Sequence, residues 1–465
     1  MDIIIVRYKA ACGRKKIDGL PTDVETLVYD KLKVLTIPTS VGYSDVNTGE
    51  RLKKAIASMQ DLTVSHRRLR GFFQLFDQIA DDERVVLLDA QKYTNYDLYC
   101  WIMALRESEK AQNLVEVYHY YKYTLPSTQW PRYDMLMFAD FGFDQYIGIE
   151  DKTMRICRFC HGHDVEGEKK SIFGTPKNSH AISYFLGNDR LFCLEECKEC
   201  NEHFGRTIET DLSNYYSYYR AAEGRKSRDK KPLIAKGFNF EYGNGRLAIF
   251  TDKPIENAPK VGESMPKEGI KLNLDNEEPV NLHNIYKLFV KYVIACVPND
   301  RLPDFHQTVK WIKGELKPRK HLLPPIYRIE TLDNQLTPTL NVYFRKDTRK
   351  DMPYCIGEFR FMENLYVFAA PYCKGKDVFV EHLHSPLSQF ISSRYAGMSF
   401  TIENFCDEEP KLITTHVNID YDGDEVVQPL DPDDIEKNQD WWQKRNMKMM
   451  KRFGTTDIHP DREFM

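Results

Sequence analysis

Two CxxC pairs, Cys157-Arg158-Phe159-Cys160 and Cys197-Lys198-Glu199-Cys200, stand about forty residues apart in the chain. A CxxC turn aims two thiolates at one ion, and two such turns complete a tetrahedral four-cysteine zinc site. Four thiolates leave no coordination position for water, so a site of this kind is structural. Any chemistry must come from residues that the ion holds in place. His180 and Asn188 lie between the two pairs, and Asn201 and His203 follow the second directly. A fifth cysteine, Cys193, is flanked by Phe192 and Leu194 and is expected to pack rather than ligate. The remaining six cysteines are scattered and read as small buried hydrophobes.

The order CxxC, then SHAISYFLGN, then ECKECNEHFG resembles the HNH endonuclease family, in the branch whose pattern runs CxxC…H…LGN…ECxxCNxxFG. The likeness runs from Cys157 to Tyr219, and a weaker one in overall layout extends over residues 230 to 400. It implies a ββα-metal unit, a hairpin and a helix gripping one divalent cation. The family's hallmark histidine falls on His180, with the implied role of general base toward the attacking water. Asn188 matches the middle position of the motif. Asn201 matches the last and is the implied ligand of Mg²⁺ or Mn²⁺, with His203 as a further ligand. The chain departs from the family at Ser179, where many members place a metal-binding aspartate, and at Ser183, often proline. His203, Glu209 or another nearby carboxylate would then replace the missing ligand.

The elements that must position these residues form an α+β chain with a central ββα-metal module and mixed α/β regions on both sides. The runs DIIIV (2–6) and RVVLLDA (84–90) have strand length, and FFQLFDQI between them has helical spacing. A helix is expected from an Asn95 cap through Leu105. Four regions follow from composition: an N-terminal α/β region (1–150), the zinc-bearing module (151–225), an α+β region (226–406) and an acidic linker with an amphipathic tail (407–465). Within the third region, a hairpin is expected around Gly243-Asn244-Gly245. Helices are expected over NLHNIYKLFVKYVIACV, with Ile285, Leu288, Phe289, Tyr292 and Val293 on one face, and over residues 304–314. Strands are expected at LNVYFR and IGEFRFMENLYVFAAP.

A net charge of -4 excludes nucleic-acid binding through overall charge and leaves local patches to do it. The segment NYYSYYRAAEGRKSRDKK offers tyrosines for stacking and Arg220, Arg225, Lys226 and Arg228 for phosphates. No apolar run reaches the roughly eighteen residues of a membrane span, and no basic leader precedes the first apolar patch. A cytoplasmic protein without disulfides is the expectation. The combined reading is a metal-dependent DNA endonuclease in restriction or phage defence. The first 150 residues and the Trp/Met-rich tail suit contact with a protein partner. The rival reading is a non-catalytic zinc module that binds nucleic acid or protein.

Overall fold

The computed structural model describes residues 1–7, 12–36, 47–107, 114–125, 132–162, 172–174, 178–217, 234–235, 238–243, 246–251, 270–275, 278–317, 323–348, 352–373, 386–395 and 397–419. The chain forms two compact units. One combines residues 1–209 with 282–408, and the other combines 210–281 with 409–465.

The first unit opens with a four-stranded antiparallel sheet of β1 (Asp2–Arg7), β2 (Gly13–Lys16), β3 (Asn47–Thr48) and β4 (Arg84–Asp89), in the order β2-β1-β4-β3. Its two central strands lack polar alternation because both faces are covered. Ile3, Ile5, Val85 and Leu87 pack against α1 (Thr22–Leu32), α2 (Gly49–Ala57) and α3 (Arg68–Phe73). Ile4, Val6, Val86 and Leu88 point the other way, toward α4 (Asn95–Glu107) and α5 (Leu114–His119). The cap of α4 is Thr94 rather than Asn95. Thr94 Oγ1 accepts from the Asp97 N–H at 3.2 Å, and Asp97 Oδ2 accepts from the Thr94 N–H at 2.9 Å. This reciprocal pair satisfies two donors at once, which one asparagine side chain would not.

Next come β5 (Tyr133–Ala139) and a small sheet of β6 (Gln145–Ile147), β7 (Ser179–His180) and β8 (Leu191–Cys193), in the order β6-β8-β7. β7 and β8 are antiparallel, and α6 (Lys198–Arg206) follows them. The segment therefore has the strand–strand–helix order.

The remainder of this unit is built around α7 (Leu282–Cys296), in which twelve of fifteen residues are buried. One buried face was expected; burial on nearly all sides means that partners surround the helix. After α8 (His306–Ile312) come the long strands β9 (Ile326–Arg345) and β10 (Cys355–Ala369), then α9 (Pro386–Arg394) and β11 (Phe400–Glu403). β9 pairs with β10 along one edge and with both β11 and β5 along the other. Phe289 of α7 stacks against Phe368 and packs on Phe359 and Tyr366, on one face of this sheet. Leu387, Phe390 and Ile391 of α9 join Ile356, Leu365 and Val367 on the other.

The expected boundary at 225 lies outside the described residues. The strand 133–139 is stitched into the sheet of residues 326–345 by a continuous ladder, so the first 150 residues share a body with the C-terminal strands. In the second unit, Phe238–Gly243 pairs with Arg246–Thr251, with Gly243 opposite Arg246, as the hairpin expectation requires. Ile270–Asp275 pairs with Thr414–Ile419. Asp211 Oδ1 accepts from the Asn281 N–H at 2.8 Å. The basic segment 226–232 and the tail from residue 420 lie outside the described residues.

Candidate metal centre and the histidine face

The four thiols of Cys157, Cys160, Cys197 and Cys200 lie within 4.8 Å of one another. Four sulfurs bonded at about 2.3 Å to a tetrahedral ion stand about 3.8 Å apart. Cys160 Sγ and Cys197 Sγ are 3.7 Å apart, so the cluster has the dimensions of a structural metal site. Thiolate tetrahedra of this kind take zinc or iron. Among the described residues, this is the one group of three or more histidine, cysteine, aspartate and glutamate side chains close enough to hold an ion.

Local structure explains why the thiols converge. In the first pair, the His161 N–H bonds the Cys157 carbonyl and the Cys157 N–H bonds the Gly162 carbonyl, with His161 in the left-handed region at φ 56°. This tight knuckle turns Cys157 and Cys160 to the same side. In the second pair, Cys197 is the N-cap of α6 and Cys200 lies in its first turn. Both thiols therefore sit at the positive end of a helix dipole. The Cys197 N–H also points at Cys157 Sγ, 3.5 Å away. Hydrogen bonds among the thiols, that from Cys157 foremost, pull Cys160 well below the ordinary thiol range and push Cys200 well above it. Cys193 stays outside the cluster, as expected, and burial pushes its thiol up to about 11.

The residues between the ligands fix the cluster to the molecule. Arg158, inside the first CxxC, is buried and donates to the carbonyls of Ile294, Ala295 and Val297 at 3.0, 3.1 and 2.6 Å. It thus caps the C-terminus of α7, where a cation is favourable. The same guanidinium grips Glu195 Oε2 at 2.8 and 3.0 Å, and Asn299 Nδ2 donates to Glu195 Oε1 at 2.9 Å. Gly148, at φ 101°, lets the chain pass this carboxylate: a Cβ there would come within 2.6 Å of Glu195 Oε2. Beside this pair, Lys291 Nζ lies 3.0 Å from Glu196 and 3.6 Å from Glu209, and 5.7 Å from the centre of the Phe204 ring. Burial pulls Lys291 downward, but the two carboxylates outweigh it and the ammonium ends above its ordinary range. Burial pushes the Glu196 carboxyl up despite its partner. The sequence carried one signal of this, a lysine inside the apolar run FVKYVIACV, while Arg158 and Glu195 were hidden by the cysteines around them.

Strand alternation sets the orientation of His180. Ser179 faces inward, with its hydroxyl bonded to the Glu196 carbonyl at 3.3 Å, while His180 is half-buried on the opposite face. The position before the histidine therefore offers no ligand on the histidine's side. His180 lies between Tyr184 and Phe192, with ring centroids at 5.2 and 4.8 Å. Asn188 is buried and engaged on both ends of its amide: Nδ2 donates to the carbonyls of Ile182 and Leu191, and Oδ1 accepts from the Leu191 N–H. It braces the loop that joins the two strands, which is a positioning role.

The expected catalytic-ion residues are dispersed. Asn201 and His203 lie two positions apart on α6, about 200° around its axis, so they do not face one ion together. Asn201 is half-buried and His203 is exposed. Glu209 is drawn to Lys291 and is no free substitute for the missing aspartate. Arg220, Arg225, Lys226 and Arg228 lie outside the described residues. No helix among the described residues is long and apolar enough to cross a membrane.

Comparison of this chain with protein-family models, with curated proteins and with solved structures returns no match.

Proposed function

We propose that the chain is a metal-dependent endonuclease of the HNH type that hydrolyses DNA phosphodiester bonds, with zinc as the structural ion in the four-cysteine site. One observation carries this reading. The two strands β7 and β8 and the helix α6 follow in the order a ββα-metal unit requires, with His180 half-buried on the face opposite Ser179 and two of the four clustered cysteines at the start of α6. The HNH-like pattern of residues 157–219 supports it independently.

In this mechanism, a ring nitrogen of neutral His180 takes the proton from the water that attacks phosphorus, a task suited to imidazole near neutral pH. Asn188 holds the loop between the strands and so fixes where the ring lies. Asn201 offers an amide oxygen to a hard cation. A bound Mg²⁺ or Mn²⁺ would supply charge neutralisation at the phosphoryl oxygens. The biological setting that fits is restriction or phage defence in the cytoplasm, with a protein partner releasing the activity.

A second reading keeps the zinc and drops the catalysis, leaving a module that binds nucleic acid or protein. It is favoured by the inward turn of Ser179 and the dispersal of Asn201 and His203. Plasmid cleavage with Mg²⁺ or Mn²⁺ separates the two, comparing the native chain with His180→Ala after bound zinc has been measured in both. The nuclease reading expects native nicking and a loss of about 100-fold or more in a variant that retains zinc. Equal cutting by both proteins overturns the role of His180. Absence of cutting by the native chain, alone and with cell extract as a source of partner, leaves the binding module.

A further inference from the structure

We infer that the exposed face of the β6-β8-β7 sheet is a stacking site for the unpaired bases of a single-stranded nucleic acid. The inference rests on the nuclease reading only for what happens next to the bound strand. The register puts Tyr146 opposite Phe192, and Phe192 opposite His180, so three rings stand in one row across three strands. Tyr146 and Phe192 are stacked, 5.6 Å apart at 20°. Phe192 is 4.8 Å from His180, and Tyr184 extends the row at 5.2 Å.

The same strands show that the row belongs to the surface. Gln145, Leu191, Cys193 and Ser179 are buried, and the residues alternating with them carry the rings. Tyr146 and Tyr184 are 48% and 44% exposed, so half of each large ring faces water. Water is a costly neighbour for four adjacent rings, and a base offers a flat apolar surface for them.

Charge selects the partner. Two residues before the Tyr146–Phe192 rung, on the same face, Arg190 and Asp144 form a loose pair at 3.8 Å, both about half exposed. An exposed pair at that distance is weak, and the guanidinium can turn to a phosphate without losing a strong contact. Lys152 is a second exposed cation; its ammonium lies 3.5 Å from where a Gly174 Cβ would stand. A base on Tyr146 thus has a cation for its phosphate on one side and His180 on the other. Duplex nucleic acid keeps its base faces stacked internally and cannot use the rings, so the occupant is a single or locally opened strand.

The test is fluorescence anisotropy with a labelled oligonucleotide of about twelve nucleotides, as single-stranded DNA, single-stranded RNA and duplex DNA. The full zinc-loaded chain is used without Mg²⁺ or Mn²⁺, so that binding is read independently of cleavage. A single strand should bind more tightly than the duplex, and whichever of DNA and RNA binds better identifies the source of the strand. Tyr146→Ala should weaken that binding about five-fold or more, with zinc content and melting temperature kept, and Tyr146→Phe should restore it. Arg190→Gln should reduce the slope of log affinity against log salt by about 0.7. Equal affinity for single strand and duplex, native affinity in Tyr146→Ala, or no binding by the native chain overturns the inference. Cleavage that depends on His180 would still stand in those cases, and strand binding without cleavage would sink the nuclease reading alone.

Discussion

The two sides of the small β6-β8-β7 sheet differ in how their polar groups are used. On the inner side, Arg158, Glu195, Asn299 and the carbonyls of α7 contact one another closely, and the cysteine cluster is tied into them. On the outer side, His180 lies in a row with Phe192, Tyr146 and Tyr184, the two tyrosines about half exposed, and a loose ion pair of Arg190 and Asp144 lies on the same strands. The inner side is closely hydrogen-bonded and buried, and the outer side leaves Tyr146 and Tyr184 about half exposed. A rigid back wall under an accessible face is the arrangement that binding and catalysis both require, because positioning must survive contact with solvent.

The comparison breaks first at the metal. Cys197→Ser removes a ligand while leaving a good N-cap residue at the start of α6, and structural zinc sites supply about 10 kcal/mol or more of folding energy. Loss of bound metal by elemental analysis and loss of the cooperative melt of this unit are the expected results. A variant that keeps both would show that the inner side does not depend on the ion.

A smaller effect tests the tie between cluster and helix. Arg158→Met leaves Glu195 buried without its partner and uncaps α7, at a cost of about 3–5 kcal/mol in denaturant unfolding. All four thiols are retained in this change, so metal content should persist. A cost below about 1 kcal/mol would mean that the contact does not hold the inner side together.

The smallest effect concerns pH. Burial raises Cys193, on the inner face of β8, to about 11, whereas an ordinary thiol ionises near 9. A raised folded value means that the folded chain keeps a proton that the unfolded chain releases. Its contribution is complete below about pH 9 and is lost as the pH climbs toward 11. Comparison of denaturation at about pH 8 and 11 should show an alkaline loss on the order of 2 kcal/mol that Cys193→Ala lacks. An identical alkaline slope in both proteins would place Cys193 in contact with water.

Much of the inner side was legible from the chain alone. The CxxC spacing named all four thiols, Phe192 and Leu194 marked Cys193 as packed, and DIIIV and RVVLLDA named the central strands of the first sheet. The contacts made across long separations were not legible. Nothing local links Arg158 to carbonyls near residue 295, or tells Tyr133–Ala139 that its partner lies two hundred residues on. The faces on which motif residues lie were not legible for a related reason. Ser179 and His180, or Asn201 and His203, are neighbours in a motif, yet alternation and helical rotation send them to different sides.

The cap that Arg158 places on α7 also has a consequence for synthesis. A ribosome that has released residues 1–209 has delivered all four thiols, but neither the carbonyls of 294–297 nor the Asn299 amide. The metal can bind at that point, while Arg158 and Glu195 stay wet and β5 has no strand to join. The partners that bury Arg158 and pair with β5 arrive only with residues 282–345. A truncation just after α6 would keep the ligands and lose the body that orients them.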